Sequence, residues 1–387
     1  MNIAIVGAGL MGRLTAIALH QQGYNISLFD KDTKQAHQSA AYAAAGLLTP
    51  LGESLHCERN IVEMGFASLK KWPALLKQLR GYTFFQQTGA LVVSHEADIG
   101  DYRRFDLHLK KHYANYQTQA LNQQQLRELE PELGRSFHHG LYLPDEGQIG
   151  NRKLLIALQQ EIEQLGISWH CQSAVDAITQ VNAGCKILVN GQQQCFDLVI
   201  DCRGTGARQA FNGDANTHTS KAPQLRAVRG ELFQIFAPAV NISRPVRLMH
   251  PRYQLYIAPK GKGFYVVGAT EIESDDNGPM TVRSALELLS AAYSVHPGFA
   301  EAQIRQQVSQ CRPAFSDNQP KIIADKNLLQ INGLYRHGFL IAPVILEHAL
   351  HVVNAIANNN LGNALKNHSL SHPALISIQS ENNEHIH

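Results

Sequence analysis

The sequence predicts an α/β protein in which a Rossmann-like nucleotide-binding domain is interleaved with an α+β domain built on an antiparallel sheet. Three observations carry that prediction. The chain opens on MNIAIVGAGLMG, an apolar run followed by Gly7, Gly9 and Gly12 in the pattern G-x-G-x-x-G. Much later, DLVIDCRG holds a second apolar run, Leu198 to Ile200, followed by Gly204, which suits a buried parallel strand aimed at a ligand. Between 229 and 270 the segments RGELFQIFA, PVRLMHP, YQLYIAP and GFYVVGAT follow one another as strand-like runs of the kind that build antiparallel sheets.

The opening unit is legible residue by residue. Asn2 to Val6 reads as a short strand. RLTAIALHQQGY then places Leu14, Ile17 and Ala18 at helical spacing until Gly23 stops it, and NISLFDKD is a second strand ending at Asp30. In such a βαβ unit the glycines make a tight turn, let the backbone approach a pyrophosphate at the helix N-terminus, and pack helix against strand. Asp30 lies 18 residues beyond Gly12, near the usual spacing of about 20 for the carboxylate that accepts ribose hydroxyls. Its charge would repel a 2′-phosphate, which disfavours NADP and leaves FAD and NAD.

After Asp30 the regular βα repeat of a nicotinamide enzyme does not continue. The Ala-rich SAAYAAAGLLTPLGE follows, which alone reads as an ordinary helix start. A helical pattern runs from about Glu58 to Leu79, YTFFQQTGALVVSH alternates in strand fashion around Gly89, and residues 100–133 read as helical and polar, ending at Pro131. GLYLPDEGQIGNRKLLIALQQEIEQLG passes from a loop into an amphipathic helix with Leu154, Leu155, Leu158 and Ile162 on one face. CQSAVDAITQ and CFDLVIDCRGTGAR are strand-like pieces around a hairpin. Nucleotide-binding elements at the start, near 150–205 and at the end thus enclose sheet-rich material. Discontinuous domains follow: 1–80, 140–222 and 308–370 for the nucleotide, 81–139 and 223–307 for the substrate, with 371–387 a polar tail. ANNNLGNALKNHS and QSENNEHIH read as loosely ordered.

Composition narrows the function. The 387 residues are 44% hydrophobic, enough for two cores. Lys and Arg total 34 against 32 for Asp and Glu, and the net +2 is spread without a basic block, which argues against nucleic acid. The six cysteines form no C-x-x-C pair and suit reduced thiols in a cytosolic protein. The N-terminus lacks a charged leader, and no stretch reaches about 18 uninterrupted apolar residues. The expectation is a cytoplasmic protein without a membrane partner.

Taken in order, these segments resemble the FAD-dependent amine oxidases of the D-amino acid oxidase and glycine oxidase type, in particular the glycine oxidases of thiamine biosynthesis. The resemblance runs to about residue 355. It rests on the Rossmann turn with Asp30 and on AAAGLLTP, PDEGQIGNRKLLIAL, DLVIDCRG, YIAPKGKGFYVVGATEIE, CRPAFSDNQP and GLYRHGFLIAP. It implies non-covalently bound FAD and oxidation of glycine or a similar small amine to the imine or 2-oxo acid, with O2 reduced to H2O2, in the service of thiazole synthesis. The alternatives are an oxidase of sarcosine or D-amino acids, and a flavoprotein accessory or maturation factor with poor amine turnover. Family members are commonly homo-oligomers, tetramers or dimers.

The resemblance also implies a site. The ADP half would lie on Gly7, Gly9, Leu10, Met11, Gly12, Asp30 and Lys31, with Val175 at the adenine and Gly204 near the pyrophosphate. Ala45, Gly46 and Leu47 would lie under the flavin ring, since small residues let a backbone approach a flat ring. Arg336, His337, Gly338, Phe339 and Leu340 would close on it. The substrate carboxylate would fall to Arg312 of CRPAFSD, whose guanidinium fork pairs with a carboxylate through two parallel bonds, beside Tyr256 and Arg336. The bland alternatives are an Arg312 paired with Asp317 and a Tyr256 that merely fills a sheet. No side chain is assigned as a catalytic acid or base, because in the family the flavin takes hydride from the substrate α-carbon. His250 and His337 fall near the site and read as structural, and no ligand cluster suggests a metal. The chain departs from the family at Cys202 and Arg203, where many members have small residues, and at His337, where glycine oxidases often have Asn. Cys202 reads as a packed thiol.

Overall fold

The computed structural model describes residues 1–212, 224–250, 255–361 and 372–378. Among these, seven strands form a mostly parallel sheet in the order Ile376–Ile378, Lys321–Asp325, Leu328–Asn332, Leu198–Asp201, Asn2–Val6, Asn25–Phe29 and Ser168–His170. Only the pairing of Lys321–Asp325 with Leu328–Asn332 is antiparallel. The central strands are apolar on both faces because both are covered: Ile3, Ala4, Ile5, Val199 and Ile200 are fully buried. Helices Leu10–Gln21, Asn151–Gln164 and Gly338–Ala357 contribute to the core on one face. Across the other lies a three-stranded meander, Val175–Val181, Gly184–Val189 and Gln192–Phe196, whose Val175, Ile187 and Val189 pack on Ala4, Val6 and Phe29.

Tyr335–Ala357 is long and apolar enough to cross a membrane by length and composition, yet 67% of its apolar window is buried in the molecule. Its apolarity is spent on the core. Helix Arg59–Lys77 packs along it, and the Trp72 indole N–H donates to the Phe339 carbonyl at 3.0 Å.

The second sheet, nine-stranded, runs Ile272–Glu273, Leu225–Phe236, Phe264–Gly268, Leu255–Pro259, Val246–Met249, Ala90–Ser94, His139–Leu143 and Gln119–Asn122, with Gln303–Phe315 paired beside Leu225–Phe236. Its pairings are antiparallel except that of Val246–Met249 with Ala90–Ser94. The mixed α/β architecture expected from the sequence is present.

Local expectations fail at four places. The stretch 100–133 is not one helical region: helices Ile99–His112 and Gln123–Leu129 flank the strand Gln119–Asn122. That strand sits at the sheet edge and buries only Leu121, so it carries no alternation to read. Its last residue begins the next helix through a capping box with Gln125. Ala90–Ser94 does not alternate either, since every residue is buried. The Ala-rich segment starts no helix; turns lead into the short strand Leu47–Leu48, and Ala43 and Ala45 pack on Leu232, Ala258 and Val308 of the second sheet. Finally, Ile376–Ile378, inside the stretch read as a polar tail, pairs with Lys321–Asp325. Most of ANNNLGNALKNHS and all but the first residues of the terminal tail lie outside the described residues.

Candidate active site

A cavity of about 830 Å3 lies where the C-terminal ends of the parallel strands face the second sheet. At one end it is lined by Val6, Gly7, Gly9, Phe29 and Asp30, and at the other by Tyr256, Arg312 and Arg336. Every residue assigned to the site lines it except Gly12.

The glycine turn explains its own spacing. Gly7 has φ +102°, and a Cβ there would stand 2.6 Å from the Cys202 carbonyl oxygen. Beside Gly9 there is open room, the nearest atom being Ser39 Cβ at 4.0 Å. Gly12 packs the helix on the turn, the helix-to-strand task read for the motif's glycines: a Cβ would lie 1.8 Å from the Gly7 oxygen. Helix Leu10–Gln21 begins on Gly9 without a side-chain cap and without an acid in its first turn. Its first N–H groups and positive dipole end are left for a ligand at the cavity.

Asp30 does more than face the cavity. Its Oδ2 accepts the Ala8 N–H and its Oδ1 the Asp32 N–H at 2.7 Å, so it fixes the glycine turn to the second strand. Asp32, which sequence reasoning passed over, accepts from Thr33 and Gln38 N–H at 2.7 Å each and closes the following loop. The departure at Arg203 also has a role: it grips Asp201 through Nε and Nη2 at 3.0 and 2.8 Å and reaches the Val175 carbonyl at 3.3 Å. It thereby ties the Gly204 loop to the strand that carries Val175. Cys202 lies against Gly7, and burial, reinforced by Asp201, pushes its thiol up, as expected of a packed thiol.

Beneath the turn, Arg13 is buried and donates to the carbonyls of Ala8, Leu155 and Lys34 at 2.7, 2.6 and 2.7 Å. Burial lowers it to about 10, against the pull of Asp30 and Asp32. Nothing in the helical pattern distinguished this arginine from a surface one.

At the far end, Arg312 Nη1 donates to the Thr270 carbonyl at 3.2 Å. Thr270 is itself held by Glu231, which accepts its hydroxyl at 3.0 Å and is fixed by the buried Arg229 at 2.7 Å. Room for the guanidinium comes from Gly230, where a Cβ would lie 2.0 Å from Arg312 Nη2. A glycine inside a strand is a sequence signal for such a close approach. Asp317 does not pair with Arg312: it binds Lys321 at 2.5 Å and accepts the Gln319 N–H at 3.0 Å. Burial pulls Arg312 down from its ordinary value, and burial likewise raises Tyr256, so that hydroxyl stays protonated.

Arg336 lines the same end with its charge already committed. Its Nε lies 2.9 Å from Glu53 and its Nη1 2.6 Å from Glu271; Tyr335 donates to Glu271 at 2.5 Å, and Arg247 also pairs with Glu53. Neither Glu53 nor Glu271 was singled out from sequence. Burial lowers His337 to about 4, although Glu53, 3.9 Å away, opposes this. It is neutral at physiological pH. His250 does not line the cavity. Among the described residues no group of three or more His, Cys, Asp or Glu could hold a metal ion.

The fit to a dinucleotide is good at each point where the structure tests it. The uncapped helix start offers donors for a pyrophosphate, Gly9 leaves space for it, and Asp30 retains acceptor capacity for a ribose. At Ala45 and Gly46 the backbone comes close to the cavity; Gly46 has φ +68°, and a Cβ there would strike the Ile149 oxygen. A nucleotide turn at one end and a buried guanidinium at the other describe the class of dinucleotide-dependent oxidoreductases.

Comparison with known proteins gives the family. The chain belongs to the FAD dependent oxidoreductases, whose family model matches residues 2–349. It is similar to the Rhizobium etli protein that bears the name thiamine biosynthesis oxidoreductase ThiO, 34% identical over 345 residues that cover 89% of this chain and 94% of the relative. Among solved structures, glycine oxidase from Geobacillus kaustophilus matches with a TM-score of 0.81 at 22% identity, covering 97% of each chain. L-α-glycerophosphate oxidase from Mycoplasma pneumoniae, solved with FAD bound, matches with a TM-score of 0.74 at 19% identity, covering 91% of this chain and 94% of that one.

One prediction arises directly. Asp30→Ala removes a ribose acceptor and leaves the Ala8 N–H without its partner. It is expected to weaken FAD binding by roughly 1–3 kcal/mol, about fivefold to 150-fold in Kd. Fluorescence titration of the apoprotein with FAD checks this, and unchanged affinity removes Asp30 from the site.

Proposed function

We propose that this enzyme oxidises glycine, or a similarly small amine, to the imine and 2-oxo acid with reduction of O2 to H2O2, in the service of thiamine thiazole synthesis. The observation that carries the reading is Arg312: a buried guanidinium, given room by Gly230, at the opposite end of the cavity from the nucleotide turn. Bound FAD would supply two-electron redox chemistry, an acceptor for a hydride from the substrate α-carbon with O2 as the final oxidant, and water would hydrolyse the imine. The remaining work belongs to the chain. Arg312 holds the substrate carboxylate bidentately, and the Tyr256 hydroxyl donates to the same group. The clamp fixes the α-carbon in one orientation, which is the larger part of what such a site contributes. Arg336, with its two carboxylates, shapes the wall. The relatedness to ThiO and the likeness to a glycine oxidase support both substrate and pathway. In this reading the enzyme works in the cytoplasm as a homo-oligomer, dimer or tetramer, without nucleic acid or membrane, and binds FAD non-covalently.

Peroxide production from glycine, sarcosine and D-alanine tests the substrate. Turnover of glycine is expected; peroxide from none of the three would favour an accessory flavoprotein. The pH profile tests the absence of a protein base. The reacting amine must be neutral, so kcat/KM for glycine is expected to rise with pH toward the amine's own pKa. His337, at about 4, contributes no limb in that range. An acid limb at about 6.5, the ordinary histidine value, would assign a histidine as the base.

A further inference from the structure

The walls of the substrate end are charge-balanced in a way that leaves room for one anion. Arg336 and Arg247 carry two positive charges, Glu53 and Glu271 two negative ones, and all are linked: Arg247 to Glu53, Glu53 to Arg336 at 2.9 Å, and Arg336 to Glu271 at 2.6 Å. Arg312 is not a link in this chain of pairs, although Arg336 and Glu271 both act on it through space, and its guanidinium donates to the Thr270 carbonyl. Arg283 and Glu287 also line the cavity and their formal charges cancel, so one net positive charge is left at this end, enough for one carboxylate.

Glu271 occupies a particular place in the cluster. Its side chain is 47% exposed, against 10% for Glu53 and 14% for Arg336, so within this cluster it is the group on the open side of the cavity. It follows Thr270, whose carbonyl anchors Arg312, so it stands close to where a substrate carboxylate is held. Burial pushes its carboxyl up, but the Arg336 charge and the Tyr335 hydroxyl outweigh this and leave it below its ordinary value, hence ionised.

We propose that Glu271 is a specificity-determining residue: by neutralising Arg336 and facing the open side of the cavity, it restricts the site to amines with a single carboxylate and rejects dicarboxylic ones. A second carboxylate on the substrate meets Glu271 instead of a free guanidinium, a like-charge contact that costs affinity. Replacing Glu271 by Gln keeps the shape and an oxygen to accept the Tyr335 hydroxyl, removes the repulsion and leaves the Arg247–Glu53–Arg336 chain with one net positive charge. The wall then becomes a second anion site.

The inference rests on Arg312 as the carboxylate clamp, and the test separates the two. Acetate and malonate are titrated into the FAD-loaded enzyme, both fully ionised, and binding is read from the perturbed flavin absorbance without any turnover. In the wild type malonate is expected to bind more weakly than acetate. In Glu271→Gln the affinity for malonate relative to acetate should rise at least tenfold, and Glu271→Gln/Arg336→Met should lose that gain. Glu271→Asp, which keeps the charge, should hold the wild-type ratio to within about threefold. An unchanged ratio in Glu271→Gln, or a gain that survives the loss of Arg336, overturns the proposal while leaving the clamp in place. If neither anion perturbs the flavin, or if Arg312→Leu binds acetate as the wild type does, the clamp itself falls, and the proposal with it. Activity on iminodiacetate relative to glycine should move with the malonate ratio.

Discussion

Arg312→Leu is expected to lower kcat/KM for glycine by roughly 2–5 kcal/mol while the protein folds and stays yellow. The size follows from what is lost: a buried guanidinium fork replaced by an apolar side chain leaves the substrate carboxylate desolvated and unmatched. Part of the loss should fall on kcat, because an unanchored carboxylate lets the α-carbon drift from its attack geometry. Arg312→Lys should rescue only in part, since an ammonium brings the charge without the fork. Gly230→Ala gives an independent arm. Its Cβ would collide with the end of a flexible side chain and not with backbone, so the fold survives while the guanidinium is displaced, and the KM for glycine rises. Asp317→Asn, which weakens a partly exposed pair with Lys321 and keeps an oxygen for the Gln319 N–H, should cost about 1 kcal/mol or less of stability. A destabilised Arg312→Leu protein with near-normal glycine kinetics would make Arg312 structural.

The second large effect is expected at Gly12. A Cβ at this position stands 1.8 Å from the Gly7 carbonyl oxygen, and Gly7 has no room to retreat. It donates to the Phe29 carbonyl at 2.8 Å and is backed by the Cys202 carbonyl. Helix and strand must separate, so Gly12→Ala should cost about 3 kcal/mol or more and abolish FAD binding, as overpacking against backbone does. Gly9→Ala is the contrast: its Cβ has space in the protein, at a residue that lines the cavity where a pyrophosphate is expected. That variant should melt like the wild-type apoprotein and bind FAD weakly. Thermal denaturation of both apoproteins, with and without FAD, separates packing from cofactor contact. A Gly12→Ala protein with unchanged melting temperature would contradict the assignment.

What the sequence revealed and what it hid follow a physical line. The nucleotide turn was legible because its determinants are local: a strand, three glycines, a helix and an acid within the first thirty residues, each forced by backbone geometry. The buried central strands were legible because burial on both faces removes polar residues from Leu198 to Ile200. The charge cluster at the substrate end was not. Glu53 and Arg247 are 194 positions apart and Arg336 and Glu271 65, and no local pattern marks a carboxylate that will be buried against a distant guanidinium. The Ala-rich segment misleads for a related reason: its alanines are small because the second sheet packs on them and the cavity needs the space, and neither constraint lies in the segment itself. Arg13 looked like any charged residue in a first helical turn, yet three carbonyls from separate segments converge on it.

Whether this FAD-dependent enzyme takes two electrons from glycine, with the substrate carboxylate held at Arg312, is decided by anaerobic mixing of the purified yellow protein with glycine. Glycine is expected to bleach the oxidised flavin absorbance, Arg312→Leu to bleach far more slowly at the same concentration, and admitted O2 to restore the colour with one H2O2 formed for each glycine consumed. A flavin that stays fully oxidised under excess glycine, in a wild-type protein that dithionite reduces normally, would contradict this.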